Sequence, residues 1–162
     1  MIKPAARALT LSLSLLAAAI PAHADENWED AKVAFEICYE NFPNTRAIHD
    51  GLKAVGWRYE GNEGGFKIFT RNGFRAVAAT QASAQEASLC FVSASRLSGD
   101  TAVAYAKEVI GRLDDATPAD PATHSALIAY EGTLRGIELR VGAVENLNFG
   151  EMRGAAVILG DF

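Results

Sequence analysis

Few side chains in this chain could carry covalent or metal chemistry. Beyond residue 24 there are two cysteines, Cys38 and Cys90, and two histidines, His49 and His124. A zinc site needs carboxylates beside both histidines. The short-range scaffolds for such a site, His-Glu-x-x-His and Cys-x-x-Cys, are missing from the sequence. No metal and no cofactor is therefore expected. His49-Asp50 is the most site-like dipeptide, but neighbours on a helix point about 100° apart and cannot form a dyad with each other. His49 is expected to be an exposed helix residue, and His124 an ordinary residue at a strand start. Gly-x-Ser-x-Gly and Ser-x-x-Lys are absent. Ser83, Ser88, Ser93, Ser95 and Ser98 read as turn and edge residues. Gly61-Asn62-Glu63-Gly64-Gly65 carries an acid and lacks the Lys-Ser/Thr pair of a phosphate loop, so it reads as a turn. Asp114, Asp115 and Asp120 fit no EF-hand spacing, and prolines interrupt them. With no acid, base and nucleophile to assemble, the residues lean away from an enzyme without deciding the matter.

Binding chemistry is better represented. Trp57, Tyr59, Phe66, Phe69 and Phe74 are interleaved with Arg58, Lys67, Arg71 and Arg75. On alternating strands these aromatics cannot all point inward. Trp57, Tyr59, Phe69, Arg71 and Arg75 are therefore the candidate face for a small anionic ligand or a partner. The competing reading is that helices cover this face.

Residues 1–24, MIKPAARALTLSLSLLAAAIPAHA, have the layout of a cleavable signal peptide. Lys3 and Arg7 form a positive start, Ala8 to Ile20 is apolar, and Ala22-His23-Ala24 is the small-x-small pattern before a cut. The apolar run falls short of the roughly 20 residues that span a bilayer. Residues 25–162 then form a single α+β domain in the periplasm or outside the cell, with no membrane association after cleavage. Losing Lys3 and Arg7 leaves 13 basic against 20 acidic residues, so the net charge deepens from −5 to −7. Such a surface opposes nucleic acid and suits a basic protein or a small ligand. An exported inhibitor, opposing a basic hydrolase with the acidic stretch Asp114 to Asp120, is the alternative. In an oxidising compartment the even cysteine count predicts a Cys38–Cys90 disulfide.

The elements that must position these groups follow from periodicity. Trp28, Ala31, Phe35, Cys38 and Phe42 mark one face of a helix capped by Asn27 and stopped by Pro43. Asn44 or Thr45 caps a second helix bearing Ile48, Leu52 and Val55, ended by Gly56. Asn72-Gly73 predicts a two-residue type I′ hairpin between Phe66–Arg71 and Phe74–Thr80. In Ser88–Ser95, Leu89 and Phe91 face one way and Cys90 and Val92 the other, so a disulfide places the first helix across the Cys90 face. Asp100 caps a third helix with Val103, Ala106, Ile110 and Leu113 inward and Tyr105 outward. Asp114–Pro121 reads as a linker. Strands follow over His124–Tyr130, Leu134–Val144 and Ala155–Leu159. The expected fold is a two-layer antiparallel sheet of six or seven strands packed with two or three helices. No internal repeat is visible.

Cys38 near the end of a first helix, then Pro43, Gly56-Trp57 and a later strand Cys90 make a pattern. It resembles that of small exported proteobacterial proteins of unknown function. The match spans the first half of the expected mature chain. It implies export and a disulfide, and it carries no activity or site residue with it.

Overall fold

A computed structural model of the chain describes residues 22–83, 86–122, 125–149 and 152–162. The elements run α1 (Ala22–Asn41), α2 (Thr45–Ala54), β1 (Arg58–Glu63), β2 (Phe66–Arg71), β3 (Ala76–Ser83), β4 (Glu86–Ala94), α3 (Gly99–Ile110), β5 (Asp114–Pro118), β6 (Ile128–Leu134), β7 (Ile137–Phe149) and β8 (Met152–Gly160). Among the described residues, one antiparallel sheet of eight strands has the order β1-β2-β3-β4-β8-β7-β6-β5. The fold is α+β as expected, with one strand more than the upper expectation. The addition is β5, read from sequence as a linker. Asp-Asp-Ala-Thr-Pro has little strand propensity, and it is held at the edge by pairing with β6.

The strand order is that of two four-stranded meanders, β1–β4 and β5–β8, each preceded by a helix that packs on its last two strands. Their final strands, β4 and β8, pair antiparallel at the centre. The fold thus repeats a helix-plus-meander unit about a pseudo-twofold axis, a repeat with no counterpart in the residue pattern. The two outer edges are blunted. β1 is bulged between Tyr59 and Gly61, and β5 between Asp114 and Thr117, with Asp115 at φ 52° and Pro118 lacking an N–H.

The three helices among the described residues lie on one face. The larger core there contains Phe35, Cys38, Ile48, Leu52, Trp57, Phe69, Cys90, Val92, Val109, Val141, Val157 and Leu159. The Leu89/Phe91 against Cys90/Val92 alternation holds, and the Cys38–Cys90 disulfide crosses from α1 to β4 with Cα atoms 6.3 Å apart. A second, smaller apolar cluster of Ile68, Val77, Ala79, Leu89, Phe91, Met152 and Ala156 occupies the opposite face. No described helix covers it.

Three local expectations are corrected. Asn27 lies inside α1, which already begins at Ala22, where alanines favour helix. In α3 the N-cap is Ser98, whose hydroxyl accepts from the Thr101 N–H, and the buried stripe is Ala102, Tyr105, Ala106 and Val109, so Tyr105 points inward. Asn72-Gly73 sits in a four-residue loop, because Arg71 pairs with Ala76. The Asn72 amide instead donates to Asn27 and Asp30 on α1, and Phe74 joins the second apolar cluster. Two-residue turns with both φ values positive do occur, at Gly64-Gly65 and Arg135-Gly136. A positive φ costs Arg135 strain. Its guanidinium offsets that strain by donating to the Tyr39 and Phe42 carbonyls (2.6 and 3.1 Å), among the orphan acceptors where α1 ends.

Candidate functional site

The residues expected to form a binding face do not gather on one. Trp57 is 3% exposed and Phe69 1%, both beneath the helices. They lie on the strand side that α2 and α1 cover, so the covered-face reading applies to them. Arg71 is equally committed. Its Nε lies 3.1 Å from an Asp30 oxygen, and its Nη1 donates to the Val55 carbonyl. Tyr59 and Arg75 remain exposed. Tyr59 leans on Phe69 (5.4 Å between ring centroids) and donates to Asn62.

His49 is half-buried instead of exposed. α2 packs its ring against Phe69 (4.9 Å between centroids), and its Nε2 lies 2.7 Å from the Thr80 hydroxyl. Burial pushes its pKa down to about 4, and Lys67 and Lys53 add to the fall, so the ring is neutral at neutral pH. His124 lies outside the described residues. The serines have structural duties: Ser88 donates to the Gln81 carbonyl, Ser93 to the Ala155 carbonyl, and Ser98 caps α3.

One polar cluster joins the two halves. Arg112 donates twice to Glu36 (2.8 Å each), and Tyr105 adds a third bond at 2.7 Å. The paired Arg112 N–H groups outweigh burial and hold the Glu36 carboxyl below its usual range. Burial in turn raises the Tyr105 phenol. Arg112 also lies over the Tyr39 ring, 4.5 Å from its centroid. Each group here is partnered, and the cluster ties α1 to α3.

The feature that sequence reasoning missed lies on the open face of the sheet. Asp115 and Thr117 on β5, Glu131 and Thr133 on β6, Glu138 and Arg140 on β7, Gly160 at the end of β8 and Asp161 beyond it line a cleft of about 530 Å3. Register explains the gathering: Thr117 opposes Glu131, Glu131 opposes Arg140, and Thr133 opposes Glu138. The clean alternation of β7, with Leu139 and Val141 in the core, turns Glu138 and Arg140 outward. Among the described residues, four carboxylates meet one guanidinium in this cleft. Arg140 is committed to Glu131 (2.8 Å), Asp161 (3.2 Å) and the Phe162 carbonyl (2.9 Å). No ion pair joins Asp115 or Glu138 to a cation among the described residues. Also among them, no group of three or more His, Cys, Asp or Glu is placed to hold a metal ion.

The cleft adjoins apolar surface. The Phe162 ring lies over Gly142, where an added Cβ would meet the ring at 2.9 Å and the Ile128 carbonyl at 2.7 Å. Phe162 belongs with Phe66, Phe74, Val144, Leu147 and Ile158 to a part-exposed set flanking the second core. Residues 160–162 thus border acidic cleft on one side and apolar strip on the other. No helix of the described residues is long and apolar enough to cross a membrane. Comparison with known proteins finds no family model, no curated protein and no solved structure that matches this chain.

Proposed function

We propose that this chain is an exported, non-catalytic binding module whose docking surface is the open face of the sheet. One observation carries the reading. Six part-exposed apolar side chains, Phe66, Phe74, Val144, Leu147, Ile158 and Phe162, pack on the face that no described helix covers, and Phe162 adjoins a cleft of about 530 Å3. Contiguous apolar surface of that kind marks interaction sites. The titratable groups with shifted pKa values among the described residues, Glu36, His49, Glu60, Tyr105 and Arg112, are engaged in bonds that hold elements together, which favours binding over catalysis. Export to the periplasm or beyond is supported by the signal-like residues 1–24, by the Cys38–Cys90 disulfide, and by the resemblance to exported proteobacterial proteins. An inhibitor of a basic hydrolase is the special case in which the partner is an enzyme. The place of Asp115 in the cleft favours it.

In-cell photocrosslinking tests the docking surface. A photoreactive residue at Leu147 should give a discrete adduct, and one at Val33, exposed on α1, should not. Equal labelling from both positions, or from neither, would contradict the proposal. Fractionation should recover the protein beginning at Asp25 in the exported fraction. Retention in the inner membrane counts against export.

A further inference from the structure

We infer that the partner docking on this face is a basic polypeptide segment, carrying lysine or arginine beside apolar side chains. The inference rests on the docking reading and adds the chemistry of the occupant. Charge complementarity sets the sign. Among the described residues, Asp115, Glu131, Glu138 and Asp161 line the cleft with Arg140 as its one cation, and Arg140 already bonds Glu131, Asp161 and the Phe162 carbonyl. Two carboxylates, Asp115 and Glu138, are left for an incoming cation. An anionic partner would meet like charge, which costs affinity and slows encounter.

The two-part surface sets the size. A small polyamine would fill the cleft and leave the strip of Phe162, Ile158, Val144 and Leu147 uncovered. A polypeptide can place a basic side chain in the cleft while its apolar neighbours lie along that strip. The blunted edges at β1 and β5 direct such a segment to the face rather than to strand addition. A second copy of this chain is disfavoured by its excess of acidic residues, 20 against 15.

The test titrates the oxidised protein with three probes: a peptide alternating lysine and leucine, its glutamate–leucine counterpart, and spermine. The lysine peptide should bind, and more weakly as salt is raised. Asp115→Asn with Glu138→Gln should weaken it by about tenfold, the loss of one well-placed charge contact. Both residues are exposed, and asparagine tolerates the φ of 52° at position 115, so this variant keeps the fold. Glu63→Gln with Glu108→Gln removes the same charge from exposed positions on β1 and α3 and should leave binding unchanged. Leu147→Ser should weaken the lysine peptide but not spermine.

Equal loss in the two charge variants would overturn the inference by making the attraction non-specific. So would spermine displacing the peptide with no dependence on Leu147, or a stable dimer that the peptide cannot dissociate. If both peptides bind and both need Leu147, the cationic assignment fails and the docking reading stands. If neither binds, the inference is overturned, and the crosslink from Leu147 decides the docking reading alone.

Discussion

The two halves of the sheet share a layout and divide the labour. In each, a helix precedes four meandering strands and packs on the last two. The first half carries the disulfide, the extra helix α2, and an open face of Ile68, Val77, Ala79, Leu89 and Phe91. The second half has no disulfide and, among the described residues, no second helix; it shares the open-face apolar cluster through Met152 and Ala156 and turns Glu131, Thr133, Glu138 and Arg140 to the same side. The difference indicates that the first half stabilises the sheet, so the second can keep unpaired carboxylates on its surface. Charged groups contribute little to stability when exposed, so they are affordable only where other elements hold the strands.

The largest expected effect falls on the first half. Replacing both Cys38 and Cys90 by alanine should cost about 4 kcal/mol on the chain-entropy model for a loop of this length. Urea unfolding measures it, and a loss below about 1 kcal/mol would show that the first half does not depend on its staple. Next comes the boundary between apolar strip and cleft. Gly142→Ala puts a Cβ 2.7 Å from the Ile128 carbonyl and 2.9 Å from the Phe162 ring, and overpacking of this kind costs about 1–3 kcal/mol. Lysine-peptide affinity should fall alongside, because Phe162 borders the docking surface. An unchanged melting temperature would mean that Phe162 packs on β7 more loosely than described.

The contacts that anchor α1 to the second half are smaller. Arg135→Asn keeps a residue tolerant of the positive φ and removes the bonds to the Tyr39 and Phe42 carbonyls together with the guanidinium's place over the Tyr39 ring, so it should cost about 1 kcal/mol. Glu36→Gln should cost a similar amount, by weakening the bonds to Arg112 and Tyr105.

The smallest effect is one of pH. His49 has its pKa lowered to about 4 by burial, with Lys67 and Lys53 adding, against 6.5 for the free side chain. Between those values the unfolded chain binds more protons than the folded one. Stability is therefore full above about pH 6.5 and falls as the pH drops toward 4, by about 1 kcal/mol for a half-exposed ring. The Glu36 contribution is full above the ordinary carboxylate value and fades as pH falls through its lowered pKa. His49→Gln should flatten the curve between pH 6.5 and 5. An unchanged slope would show that α2 is not clamped through this ring.

Much of the first half was legible in the sequence because its signals are local. The α1 stripe of Ala31, Phe35 and Cys38, the β4 alternation around Cys90 and the Asn44 cap of α2 all depend on neighbours a few residues away. The same holds for the β7 alternation of Leu139 and Val141. β5 was not legible, because its strand state comes from pairing with β6 and not from its own residues. Tyr105 was misread because an aromatic with a hydroxyl suits either face until Glu36 is known to lie beside it. For Trp57 and Phe69 the sequence leaves a binding face and a helix-covered face both open, because α2 folds over them only in three dimensions. The cleft needs three strands in the order β7-β6-β5, and strand order is not written in any one segment.

Backbone NMR of the oxidised protein, titrated with the lysine–leucine peptide, tests the docking surface most directly. Shift changes should map to Asp115, Glu131, Glu138, Val144, Leu147 and Ile158 on the open face, with Tyr59, Arg75 and the exposed side of α1 unmoved. Changes confined to Tyr59, Arg75 and their hairpin, with the cleft silent, would contradict the assignment and return the docking surface to the first half.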